Sequence, residues 1–291
     1  MAAWLRAGAP ADSVPVPFEN ADHAHGWLPD GYDPDAFDVD EATEAMRVWA
    51  AGEHLPWHSL PDPLADLIKT QRGTSWNVVT DWLESLGPRT PLALTDAEVQ
   101  QATRPWLAVL HAVGQGVKLT SAGYLPPATV EQIAQASGVT EWWIGKANRE
   151  DLTPPVAELR EGAQALGLLR KSKGVLMPTA RAKAAVHEPR ALVEVVLAKL
   201  PLGKTFEAEA GWFTALGLAA EESGRAVQAA VAQILNDRGW RIKGGGTITK
   251  QAADSWAQPT LSPLDAMAGG YRRLDDDLMR KLARAVLLGM A

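Results

Sequence analysis

Apolar positions Trp76, Val79, Trp82, Leu83 and Leu86 recur at the spacing of one helical face, and Gly87-Pro88 follows as a stop. A longer stripe, Val99, Ala102, Trp106, Val109, Leu110 and Val113, begins just after Thr95-x-x-Glu98. That spacing is a capping box, in which each side chain satisfies a backbone N–H of the other residue. Two earlier helices are predicted. One covers 39–52, carried by Val39, Ala42, Met46 and Trp49; the other lies near 63–71, where Asp62-Pro63 has the form of a cap followed by proline at the first helical position. Strand-like alternation is absent there, and the Pro, Asp and Gly of 12–38 predict irregular chain.

The pattern changes after residue 116. Val117 to Thr120 is a short β-prone piece, and Ala128 to Ser137 is helical, with Gly138 as its stop. Thr153-Pro154 opens a helix striped by Val156, Leu159, Ala163 and Leu166 and ended by Gly167. Leu168-Leu169-Arg170-Lys171-Ser172-Lys173-Gly174-Val175-Leu176-Met177 then places two apolar pieces about a basic turn, a β-hairpin signal. Thr179 caps a further helix and Pro189 precedes another, Leu192 to Leu200. Helix, turn, helix ending in Gly, basic hairpin, helix is the order of a winged helix-turn-helix, whose second helix is free to enter a groove.

The same order recurs further along. A helix from Ala226 to Asp237 ends at Gly239, and Trp240 to Thr249 predicts a second hairpin with a glycine tip at Gly244-Gly245-Gly246. Gly167 and Gly239 are 72 residues apart, whereas Thr179–Thr249 and Pro189–Pro259 are both 70 apart. The expected fold is therefore mainly α, with tandem winged-helix-like units, short β-hairpin wings and a helical N-terminal region. The expected boundaries are 1–90 for an acidic helical region with an extended arm, 91–200 for the first unit, and 201–291 for the second unit with C-terminal helices.

The run Lys118-Leu119-Thr120-Ser121-Ala122-Gly123-Tyr124-Leu125-Pro126-Pro127-x-x-Val130 is followed by Asn148-Arg149-Glu150, Pro155-Val156-x-x-Leu159-Arg160, Gly167-Leu168-Leu169-Arg170 and Gly174-x-Leu176. Together these resemble a poorly characterised actinobacterial winged-helix segment found near plasmid ORF-3-like, transposon-related proteins. The resemblance covers about residues 117–200. It implies the fold and brings no activity with it.

Charge refines this picture. The net formal charge is −7, yet residues 1–90 alone carry 15 Asp/Glu against 5 Lys/Arg, while 151–200 carry 8 Lys/Arg against 5 Asp/Glu. A strongly basic nucleic-acid binder would show more positive charge. With no cysteine, disulfides and thiolate chemistry are excluded, in keeping with a cytoplasmic location. No apolar run reaches the roughly 20 residues of a membrane span, and the N-terminus lacks the form of a signal peptide.

Candidate chemistry is sparse. His23-x-His25 and His54-x-x-x-His58 have metal-like spacing, but Pro56 breaks the second, and solvated loop histidines explain both. Gly244-Gly245-Gly246 beside Lys243 lacks the spacing of a phosphate-binding loop. Asp275-Asp276-Asp277 opens the last helix and predicts Asp276–Arg280 and Asp277–Lys281 pairs. No nucleophile–base or metal-ligand spacing emerges, so no cofactor is expected and the chain reads as non-catalytic. The leading expectation is a DNA-binding or regulatory protein. Arg170, Lys171, Lys173, Arg241 and Lys243 would contact the phosphate backbone of double-stranded DNA, and Arg160, Gln164, Arg225 and Gln228 would face its groove. Against that, Glu158 and Glu161 share the first recognition helix and would repel phosphate. The alternative is a protein-binding or scaffold module in which Trp142 and Trp143, between the two helices of the first unit, either plug the core or meet a protein partner.

Overall fold

The computed structural model describes residues 60–71, 73–86, 93–220, 224–270 and 275–290. The expected helix at 39–52, the irregular arm and His23, His25, His54 and His58 lie outside the described residues. Helices α1 (Asp62–Lys69) and α2 (Trp76–Ser85) are followed by α3 (Asp96–Val113). Thr95 caps α3 as its spacing predicts: the Thr95 N–H donates to Glu98 Oε2 at 2.7 Å and the Glu98 N–H to Thr95 Oγ1 at 3.3 Å. Strand β1 (Val117–Lys118), α4 (Pro127–Ser137) and α5 (Pro154–Ala165) lead to the hairpin β2 (Leu169–Ser172) and β3 (Val175–Pro178). The strands pair antiparallel in the order β1-β3-β2, with Val117 and Lys171 both opposite Leu176. Then come α6 (Ala180–Ala185), α7 (Pro189–Leu197), α8 (Thr205–Ala219), α9 (Gly224–Asp237), α10 (Lys250–Met267) and α11 (Asp276–Leu288).

Landmarks of the sequence repeat have matching local geometry. Helix α5 ends with Leu168 N–H to Ala163 O and Gly167 N–H to Gln164 O; α9 ends with Trp240 N–H to Leu235 O and Gly239 N–H to Asn236 O. Each is a Schellman closure that needs a left-handed residue, and Gly167 and Gly239 have φ of 70° and 88°. Thr179 and Thr249 each cap the next helix through the side-chain oxygen, receiving the N–H of Ala182 and of Ala252.

Beyond those landmarks the two stretches diverge. The second ribbon, 240–249, is not a β-hairpin: it forms no strand ladder, and Ile242 N–H to Gly246 O closes a small loop instead. Glycines at 244, 245 and 246 weaken any strand at its tip. Pro259 does not break a helix as Pro189 does, because α10 runs straight through Pro259 and Pro263. An interior proline costs about 3 kcal/mol. The buried Ala257, Thr260, Leu261, Leu264 and Met267 around it oppose that cost, as α10 packs on α8, α9, α3 and α5.

Helix α8 lies at the centre of this half. Ala210 to Gly217 are buried without a break, including Trp212 and Phe213. Gly217 lets the helix approach its neighbours, since a Cβ there would lie 2.9 Å from Val227 and 3.0 Å from Trp82. Buried apolar side chains form one contiguous cluster from Leu60 to Leu287. The end of α9 also clamps the segment before α2: Asp237 Oδ2 accepts from Ser75 N–H (2.9 Å) and Ser75 Oγ (2.7 Å), and Gln233 donates to Thr74. No helix among the described residues is long and apolar enough to cross a membrane.

Candidate interaction face

The β2-β3 hairpin forms because two residues can turn left-handed. Lys173 and Gly174, with φ of 49° and 76°, make a two-residue turn of the kind that matches strand twist. Arg170, Lys171 and Lys173 are all exposed, and none has a carboxylate partner among the described residues. Lys171 Nζ reaches back to within 3.8 Å of the place a Cβ on Gly123 would occupy, next to Tyr124. Three of the expected backbone-contacting cations are thus free and gathered on one hairpin.

The groove-facing expectation fails for Arg160 and Gln164. Glu150, in a 3-10 turn before α5, is fully buried and accepts hydrogen bonds from the Leu125 N–H at 2.5 Å and from Arg160 Nε. Arg160 also donates to Gln164 Oε1 at 3.1 Å, so its guanidinium is held against the body of the protein. A buried carboxylate outbids solvent for the guanidinium because an unpaired charge there would be very costly. What α5 exposes is Pro154, Glu158, Glu161 and Ala165. Gln228 is likewise not groove-facing: it is buried, with its Oε1 lacking a hydrogen-bond partner. The Arg225 side chain lies outside the described residues. Arg241 is exposed, but it donates to the carbonyls of Asn236 and Trp240 and so caps the C-terminus of α9. Lys243 is exposed on the glycine loop.

Trp142 and Trp143 meet edge to face, with centroids 6.0 Å apart, and both lie half-buried on the core. The Trp143 indole N–H is buried without a partner. They act largely as the plug. Between Trp143 and Gly145, however, Ile144 is 96% exposed, and Leu152 and Tyr124 are 60% and 42% exposed. The Leu125 to Glu150 bond brings the Tyr124 loop beside the turn that carries Leu152. Sequence reasoning missed these three because loop positions have no period; the unbroken run Trp142-Trp143-Ile144 was the available signal.

A second aromatic group was also missed. Phe206, Trp240 and Trp256 pack on one another with centroids 4.7–6.2 Å apart, and Trp240 Nε1 donates to Glu209, which also pairs with Arg238 at 2.8 Å.

One concavity among the described residues is an open cleft of about 330 Å³ between α3, the end of α4 and the start of α7, lined by Gln100, Thr103, Arg104, Leu107, His111 and Pro189. Thr103 Oγ1 donates within its own helix, and Arg104 is engaged by the Ala136 carbonyl and Glu141. Neither side chain is poised as nucleophile or base. Among the described residues no cluster of three His, Asp or Glu could hold a metal ion. At the last helix, Asp275 caps through Leu278 N–H and Asp277 pairs with Lys281 at 2.9 Å, but Arg280 pairs with Asp277 rather than with Asp276 as expected. No family model, curated protein or solved structure matches the chain.

Proposed function

We propose that this chain is a non-catalytic protein-binding module. The order α3-β1-α4-α5-β2-β3 supports reading its middle as a winged helix, and the matching landmarks around α9 support a second, wingless relative of that unit. The observation that carries the binding role is Ile144, wholly exposed on the α4–α5 connection that also carries Leu152, whose turn the Leu125–Glu150 bond joins to the Tyr124 loop. Large apolar side chains left exposed on a helix–helix connection are what a partner protein covers. Glu158 and Glu161 face outward on the helix that would otherwise read DNA, and of its two polar readers Arg160 is held by Glu150 and Gln164 by Arg160.

The test is retention of a stoichiometric protein from host extract treated with nuclease. Native chain retains it, whereas Ile144→Ser combined with Leu152→Ser loses it while the melting temperature is unchanged. Equal retention by the variant refutes the reading.

A second reading rests on the unpaired wing cations, which suit a phosphate backbone. It predicts a duplex mobility shift at low salt that Lys171→Glu with Lys243→Glu removes.

A further inference from the structure

Strand β2 is an edge strand, since the sheet order is β1-β3-β2. The Thr179 N–H donates to Leu168 O at 2.9 Å, which fixes the parity of the ladder. With Arg170 opposite Met177 and Ser172 opposite Val175, those residues exchange backbone bonds with β3. The N–H and C=O groups of Leu169 and Lys171 therefore point away from the sheet; Leu169 is only 3% exposed, so the accessible part of this edge is at Lys171, whose backbone groups no bond to another described residue engages. Arg170, Lys171 and Lys173 surround this open edge without a carboxylate partner.

We infer that the outer edge of β2 binds an extended acidic segment of a partner protein, which pairs through its backbone at Lys171, the exposed end of the strand. This rests on the protein-binding reading and names the chemistry of its partner. Backbone pairing with Lys171 supplies register, and carboxylates on alternate residues meet Arg170 on the solvent side of the sheet. The same cations repel a second copy of this edge, so the strand is guarded against self-pairing and open to an acidic one. A DNA backbone fits less well, because a duplex broad enough to span the wing and α5 would meet Glu158 and Glu161.

The test uses the full chain and a fluorescent (Glu-Val)5 peptide, with the same peptide N-methylated at every backbone nitrogen and a 20-base-pair duplex as comparisons. The (Glu-Val)5 peptide is expected to bind and to slow hydrogen exchange at the Lys171 amide. The N-methylated peptide, of equal charge, should bind at least about tenfold more weakly, as should (Glu-Val)5 to Arg170→Glu. Equal binding of the two peptides means charge alone and overturns the inference. So does binding of the duplex without the peptide, or no peptide binding up to about 1 mM. If the edge fails while Ile144→Ser with Leu152→Ser still loses the retained partner, the module reading survives and the β2 site does not.

Discussion

Asn236 holds Ile248 by both of its backbone groups: the side-chain oxygen accepts from Ile248 N–H and the side-chain nitrogen donates to Ile248 O, each at 2.8 Å. One side chain thus does for the 240–248 loop what strand pairing does for the β2-β3 hairpin. The corresponding residue at the end of α5 is Gln164, which is turned toward Arg160. This difference explains how one loop keeps its shape without a ladder.

Removing that amide should be costly. Asn236→Ala leaves the N–H and C=O of the buried Ile248 without partners, and a loss of about 2–4 kcal/mol is expected in urea unfolding. Asn236→Asp, which keeps the acceptor, should lose roughly half as much. A change under about 0.5 kcal/mol for Asn236→Ala would remove the loop-pairing role.

Arg160 and Glu150 form a buried pair, so breaking it should matter to folding and not to DNA. Arg160→Ala strands the fully buried carboxylate and should cost about 3–5 kcal/mol. In a variant that remains folded, such as Arg160→Lys, duplex affinity should match that of the native chain. A specific loss of duplex binding there would restore Arg160 to the groove.

Asp265 sets a pH dependence. Burial, reinforced by the charge of Asp254, raises its carboxyl to about 6. The folded state therefore favours the protonated acid, and this contribution is fully present below the unfolded value near 3.8 and is lost as pH rises through about 6. Asp265→Asn should raise stability at pH 7 by about 1–3 kcal/mol and have little effect at pH 4. Thermal melts at the two pH values check it; equal effects at both would sink the assignment.

The two helix-ending glycines offer a clean comparison. Nothing lies within 4 Å of a Cβ at Gly167 or Gly239, so each change to Ala should cost only the left-handed penalty, about 1 kcal/mol. Gly73→Ala should cost more, since its Cβ would lie 2.6 Å from Asp237 Cγ and displace the carboxylate that holds Ser75. Denaturant midpoints of the three variants would show the order.

What the chain determines locally was readable in advance. Capping at Thr95, Thr179, Thr249 and Asp275, the closures at Gly167 and Gly239, and the Lys173-Gly174 turn depend on residues within a few positions of one another. The stripes of α2, α3 and α5 follow from burial on one side.

Tertiary packing decided the rest. Helix α8 has no stripe to find, because its apolar residues are covered all round. Pro259 reads as a breaker until the neighbours that hold α10 are in place. Arg160, Gln164 and Gln228 look like exposed polar positions in sequence, and only contacts brought from elsewhere, or burial beneath them, turn them inward. Local hydrogen bonding has short range and leaves its mark on neighbouring letters; the partner of a charge and the cover over an apolar face come from distant segments, so only the folded chain fixes them.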